Sequence, residues 1–170
     1  MLPRNGERKM NSDIHIIELP AMNYVRFYGF SENPEDIAIG DMLQWAEKNK
    51  YFKIKGGRCF GFNNPDPTPG SKKYGYEVWL TIPDGFPGHN LESKIFPGGK
   101  YAVTSCSGNV QEAINFIPSA WKSLMEWLEN SQNQMGKHQW LEEQLSEGGL
   151  SFAEMYQQGR ISLNLYMPIQ

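Results

Sequence analysis

Three segments of this chain recur in the same order further along it, and that echo constrains the fold more than any single motif does. Leu19-Pro20 through Val25 returns as Phe96-Pro97-Gly98-Gly99-Lys100-Tyr101-Ala102-Val103, Met42-Leu43-Gln44-Trp45 as Leu124-Met125-Glu126-Trp127, and Leu80-Thr81-Ile82-Pro83 as Leu165-Tyr166-Met167-Pro168. The offset drifts from the high seventies to the mid eighties of residues, as loop insertions between equivalent elements would make it. Each unit reads β-α-β-β and would bury only one sheet face alone. The pair is therefore expected to form an α+β fold: two pseudo-repeated units sharing one antiparallel sheet, helices on one side, and a central ligand cleft near the pseudo-twofold axis.

Composition agrees with one domain. The chain has 170 residues, 39% hydrophobic and 13% aromatic, enough for a sizeable core. Residues 1–12 read as a flexible N-terminal lead-in, and residues 13–170 as a single domain with halves of about 13–88 and 89–170. The formal charge is −3, with no Lys/Arg cluster, which argues against direct nucleic-acid binding. No export signal or membrane-length apolar run is present, so a cytoplasmic location away from the membrane is expected. Cys59 and Cys106 read as buried thiols. His15, His89 and His138 have no metal-ligand spacing. Neither a nucleophile elbow nor a phosphate loop is present, and no metal or cofactor is expected.

Along the chain, Ile14 to Gly29 reads as an aromatic-rich strand interrupted by Pro20. Asn33-Pro34-Glu35-Asp36 has the form of a helix start, with an Asn cap, Pro in first place and acids in the first turn. The helix should run to about Asn49, with Ile39, Met42, Leu43 and Ala46 as its apolar stripe. Cys59 to Phe62 reads as a short strand, followed by an irregular loop imposed by Pro65, Pro67 and Pro69. The strand from Tyr74 to Pro83 turns Glu77, Trp79 and Thr81 one way and Val78, Leu80 and Ile82 the other. In the second half, Ile117-Pro118 is read as a break, with the main helix over 119–130 and a separate turn before it. Ser151-x-x-Glu154 suits a capping box on a short lid or brace. The closing strand puts Tyr166 on its more polar face.

The stretch that bears on function is His138 to Leu145, read as a strand. Period-2 alternation sets Trp140, Glu142 and Gln144 on one face and Leu141, Glu143 and Leu145 on the other, so at least one carboxylate faces something apolar. A carboxylate among aromatic rings suits a flat, poorly hydrated cation, each ring adding roughly 0.5–2 kcal/mol of cation–π attraction. The bland alternative is an edge strand whose glutamates face water.

Taken together, Leu19-Pro20 before an aromatic strand, Asn63-Asn64-Pro65-Asp66-Pro67-Thr68-Pro69, Pro97 through Val103, Ala120-Trp121 opening a helix that ends Glu126-Trp127-Leu128, and Leu165-Tyr166-Met167-Pro168-Ile169 resemble the GyrI-like, or AraC-type, bacterial effector-binding domain family. The resemblance spans residues 13–170. It implies a duplicated fold that binds lipophilic, often cationic compounds in a central cleft with a glutamate at its base. That glutamate maps to Glu142, with Glu143 one register away. Gln144 stands where the family has an aromatic, and Trp140 is expected to supply the missing ring.

The remaining candidates for the ligand cage are Trp79, Tyr166, Tyr28, Phe60, Phe62 and Trp127, with Glu77 as a second acid. Trp45 and Trp121 are assigned mainly to packing. The chain carries no helix-turn-helix, so a stand-alone, multidrug-type binding module is expected for sensing or sequestration. The resemblance also admits two other roles: hydrolysis of reactive small molecules by a cleft glutamate with Tyr166, or modulation of a protein such as gyrase. A homodimer or another protein partner is left open.

Overall fold

The computed structural model describes residues 13–170; the expected lead-in, 1–12, lies outside the described residues. The elements run β1 (His15–Leu19), β2 (Met22–Ser31), α1 (Pro34–Lys48), β3 (Cys59–Asn63), β4 (Tyr74–Thr81), β5 (Lys94–Phe96), β6 (Gly99–Asn109), α2 (Ala113–Glu129), β7 (Leu141–Gln144), α3 (Phe152–Gln157) and β8 (Arg160–Pro168). All eight strands join one antiparallel sheet, curled into a half-barrel, in the order β1-β6-β8-β7-β3-β4-β2-β5. That order maps onto itself when each strand is exchanged with its echo. The internal repeat read in the sequence is thus a pseudo-twofold whose axis passes between β3 and β7.

The edge strands are exchanged between the halves. β1 pairs with β6, and β5 pairs with β2. Pro20 therefore does not kink one strand; it separates two strands that pair on opposite sides of the sheet. Its echo Pro97 does the same. The two crossings touch at Gly98, which has φ +83° and sits where a Cβ would meet the Leu19 carbonyl at 2.4 Å. No residue with a side chain fits that position without strain.

Helix α1 buries Ala38, Ile39, Met42 and Ala46 against Val25, Phe27, Tyr76, Val78 and Leu80. Asn33 makes no side-chain cap bond, contrary to the expected Asn cap. Instead the first-turn acids are tied to tyrosines, with Tyr74 donating to Glu35 at 2.7 and 2.8 Å and Tyr156 to Asp36 at 2.8 Å. Helix α2 packs Phe116, Ala120 and Leu124 on Ala102, Cys106, Leu163, Leu165 and Met167. It begins at Ala113 and runs through Pro118 rather than starting at Ser119. A proline's fixed φ is helical, and its missing N–H forfeits one bond near the helix start without breaking the rod.

The capping box of α3 is formed in both directions: Glu154 N–H donates to Ser151 Oγ at 3.2 Å, and Ser151 N–H to Glu154 Oε2 at 2.8 Å. Met155 is buried, and α3 braces the second half against α1 through Tyr156. Strand β7 is shorter than expected, so Trp140 precedes it. The sheet face away from the helices carries its own core of Tyr24, Phe60, Tyr101, Leu141 and Tyr166, among others. Tyr166, on the alternation that reads as more polar, is 2% exposed there, because the curl of the sheet folds that face onto itself. Among the described residues, no helix is long and apolar enough to cross a membrane.

Candidate functional site

The ladder between β3 and β7 holds three pairs, Cys59↔Gln144, Phe60↔Glu143 and Gly61↔Glu142, and then stops. Beyond Glu142 the two halves part, and this opening at the pseudo-twofold is the cleft. Two cavities meet there. One, of about 350 Å³, is lined by Phe62, Asn63, Asp66, Trp121, Gln139, Trp140 and Glu142. The other, of about 580 Å³, lies between the N-terminal ends of α1 and α2. It has Glu142, Gln144, Tyr76, Ile161 and Leu163 along the sheet and Glu35, Asp36, Ile39, Ala113, Ile114 and Ile117 from the helices.

Glu142 points to the helix face and lines both cavities. Its Oε2 accepts from the Tyr76 hydroxyl at 3.3 Å and its Oε1 from Trp121 Nε1 at 3.4 Å, two long bonds. The Tyr76 contact depends on Gly61. Tyr76 is on β4, Glu142 on β7, and Gly61 on the strand between them; a Cβ on Gly61 would meet the Tyr76 hydroxyl oxygen at 2.2 Å. The missing side chain is the path by which the phenol crosses a strand. Burial pushes the Glu142 carboxyl up to about 7; the Trp121 and Tyr76 bonds pull it back only in part, and the nearby Glu35 adds to the rise. The tyrosine and tryptophan donors carry no charge, and among the described residues no Lys or Arg lines either cavity. The linings carry four acids, Glu35, Asp36, Asp66 and Glu142. Such a basin favours positive charge in a medium that strengthens Coulomb attraction.

Its neighbour Glu143 is placed oppositely. It turns to the other sheet face, where Arg58 Nε and Nη2 donate to its two oxygens at 2.9 and 2.7 Å and Tyr166 donates its hydroxyl proton. Arg58 also lies over the Phe60 ring at 4.9 Å. Glu77 is answered likewise. Burial raises its carboxyl, but Arg26 at 2.8 Å, Trp79 Nε1 at 2.8 Å and Asn64 at 3.1 Å hold it below the usual carboxylate range overall.

Of the residues singled out in the sequence, Glu142 and Trp140 come together around the cavities; Phe62 borders the smaller one, but its ring packs in the opposite-face core, with centroids 5.0 Å from Trp79. Trp79, Phe60, Tyr166, Glu143 and Glu77 belong to the opposite face of the sheet, where Trp79 stacks on Tyr24 with ring centroids 4.2 Å apart. Tyr28 is on that face too, exposed under the Arg26 guanidinium. Trp127 packs in the core beneath α2. Trp121, read as packing, reaches Glu142 and tilts against Trp140 at 5.3 Å. Tyr76 was not singled out, and one signal pointed to it. A glycine inside a strand marks close approach, and Gly61 is where the tyrosine crosses.

A family described as integron-associated effector-binding protein, Cass2, matches residues 15–169. Among solved structures, a hydrolase from Listeria innocua has 13% identity, covers 94% of this chain and 92% of its own, and superposes with a TM-score of 0.60. The EcmrR C-terminal domain has 13% identity, coverage of 93% and 97%, and a TM-score of 0.59. SAV2435, solved bound to tetraphenylphosphonium, has 13% identity, coverage of 93% and 94%, and a TM-score of 0.52. No curated protein sequence matches the chain. The duplicated α+β half-barrel and the match over residues 15–169 give one conclusion: the chain belongs to the integron-associated effector-binding protein family and has the GyrI-like effector-binding fold.

Proposed function

We propose that this protein binds lipophilic cations in the cleft at the pseudo-twofold, as an effector sensor or a sequestering module, with Glu142 neutralising the ligand's charge. The observation that carries the reading is the state of Glu142: a carboxylate at the foot of a cleft, held by two long bonds from neutral donors, with no Lys or Arg lining it among the described residues. A lipophilic cation would supply the missing charge and bury its apolar body against Trp121 and Trp140. The binding of tetraphenylphosphonium by SAV2435 supports the same ligand chemistry. Area burial of a few rings at about 25 cal/mol per Å², less the cost of association, gives affinity around the micromolar range. The test is tryptophan fluorescence during titration with tetraphenylphosphonium and with neutral triphenylphosphine oxide. Glu142→Gln should weaken the cation by at least about tenfold and leave the neutral compound unchanged. Equal loss of both would sink the charge-pairing role.

A second reading, hydrolysis of a reactive small molecule, draws support from the Glu142 carboxyl poised at about 7 beside a hydroxyl. In that reading Glu142 takes a proton from the water attacking an electrophile. The hydroxyl beside it is that of Tyr76, since Tyr166 is engaged with Glu143. The Listeria innocua neighbour, described as a hydrolase, favours the idea at the level of fold alone. Turnover of activated esters or epoxides, lost in Glu142→Gln, would place this reading first.

A further inference from the structure

Strand β2 is the border of the sheet for most of its length. β5 covers only Met22, Asn23 and Tyr24, and beyond them no strand among the described residues pairs with the outer edge of β2. On the inner edge the Asn23 carbonyl accepts from Ile82 N–H at 2.8 Å, and the ladder with β4 runs without a bulge from Tyr24↔Thr81 to Ser31↔Tyr74. Antiparallel alternation then turns the N–H and C=O of Val25, Phe27 and Gly29 to β4, and those of Arg26, Tyr28 and Phe30 outward. The side chains of these three residues share one sheet face. Tyr28 is 37% and Phe30 52% exposed, and the Arg26 guanidinium lies 4.7 Å over the Tyr28 ring. On the other face Ile37 of α1, 42% exposed, borders Gly29, where an added Cβ would meet the Ile37 Cβ at 2.8 Å. Proteins normally blunt such an edge with proline, free charges or a bulge; the one charge between Val25 and Ser31 is Arg26, already paired with Glu77 at 2.8 Å. The fold itself does not demand the rings. Met22↔Phe96 and Gly99↔Leu19 are equivalent pairings in the two halves, so Tyr28 and Phe30 stand where β6 has Ser105 and Ser107.

We propose that this edge docks a second copy of the chain: β2 pairs antiparallel with β2 of the partner, about a twofold axis at Tyr28. That register uses all three outward residues. Tyr28 meets the partner's Tyr28 and Arg26 meets the partner's Phe30, each as a hydrogen-bonded pair that exchanges two N–H···O bonds. Guanidinium and ring then attract through the ring quadrupole, and the facing tyrosines contribute as a cross-strand aromatic pair. The pattern is self-complementary, whereas sliding it until Arg26 faced the partner's Arg26 would oppose like charges. The open edge is about 24 Å long at 3.4 Å per residue. With the ring row on one side and Ile37 on the other, the two copies together bury on the order of 1,000 Å², the lower end of a specific interface.

The experiment is sedimentation velocity of the full chain from about 1 to about 200 μM, where an interface of this size should show itself. The mass should rise with concentration from the 19.5 kDa of one chain toward twice that value. Tyr28→Lys sets two like charges face to face at the axis and should weaken the dimer at least about tenfold. Ile16→Lys, at a residue 45% exposed on the opposite border of the sheet, should leave it unchanged. Oxidation reads the register and carries the test if Tyr28→Lys does not fold. In Tyr28→Cys the two Cα atoms of the axial pair come within about 5.5 Å, inside disulfide range, while Cys59 and Cys106 are buried. This variant should form covalent dimers at least about tenfold faster than Phe30→Cys. A chain that stays monomeric throughout overturns the proposal and leaves the edge to an extended segment of another protein. A dimer that Tyr28→Lys does not weaken, or that Ile16→Lys abolishes, overturns the interface, and equal cross-linking of the two cysteine variants overturns the register.

Discussion

Glu142 and Glu143 are adjacent on one short strand, yet the sheet sends them to opposite fates. Glu143 meets a bidentate guanidinium and a phenol in a core of rings. Glu142 meets a phenol and an indole at the long end of hydrogen-bond distance and opens into two cavities. Alternation alone decides which is which. The difference teaches how to read a buried acid: one with its own arginine belongs to the fold, and one without a cation beside it is the candidate for a charge brought from outside.

The largest expected effect lies on the Glu143 side. Arg58→Met would leave a 7% exposed carboxylate without its cation, and stranding one partner of a buried pair costs about 3 kcal/mol. Urea unfolding at pH 7 should show that loss. Cation affinity, measured on the fraction that remains folded, should be unchanged, because Arg58 and Glu143 lie across the sheet from the cleft. A selective loss of cation binding in this variant would erase the proposed division of labour between the two acids.

Next comes the crossing over β3. Gly61→Ala would drive a methyl into the Tyr76 ring, which is 4% exposed and packed under α1. Overpacking of this kind costs about 2 kcal/mol. It should also displace the phenol from Glu142, raising the pH at which the carboxyl ionises. Thermal unfolding and a pH titration of cation binding check the two effects separately.

Glu142→Gln should stabilise the protein. The carboxyl ionises in the folded protein at about 7, above its ordinary value of 4.5. Its contribution to stability is therefore fully present below about 4.5, declines as pH rises, and is lost above about 7. Glutamine should accordingly add about 1–2 kcal/mol at pH 8 and nothing near pH 4. No such pH-dependent gain would mean that Glu142 is better solvated or better paired than its position implies. Cation binding reads the same linkage from the other side, since affinity should rise between pH 6 and pH 8.

Much of the fold was legible because it depends on patterns that local physics enforces. The echo of Leu80-Thr81-Ile82-Pro83 in Leu165-Tyr166-Met167-Pro168 reports equivalent places in β4 and β8, and the stripe of Ile39, Met42 and Ala46 reports the buried side of α1. What stayed hidden was non-local. Nothing around Pro20 or Pro97 tells a reader that the short strand before each proline pairs in the other half, because that pairing depends on partners from 70 residues away (Tyr24↔Lys94) to 88 residues away (His15↔Val103). Alternation separated Glu142 from Glu143, but it could not say which face of the sheet held the arginine, so both remained candidates. Trp79 and Tyr166 are aromatic strand residues like many in a ligand cage, and only the curl of the sheet assigns them to a second core. Trp121 lies on a helix stripe that reads as packing; its indole N–H reaches the acid because α2 lies across the sheet beside β7's end.

The smallest effect is the sharpest probe of the comparison. Tyr76→Phe removes one hydroxyl and leaves the ring over Gly61, so packing is kept and only the 3.3 Å donor to Glu142 is lost. A bond that long contributes about 0.5 kcal/mol, near the lower end for neutral donors. Because the bond favours the ionised carboxylate, its loss should move the midpoint of the cation-binding pH profile upward from about 7. The equivalent change across the sheet, Tyr166→Phe, removes a donor to Glu143, whose bidentate arginine remains. That variant should leave the binding profile where it was. A shift in both profiles, or in neither, would mean that the two carboxylates are not divided between ligand and fold by the face of the sheet on which each one lies.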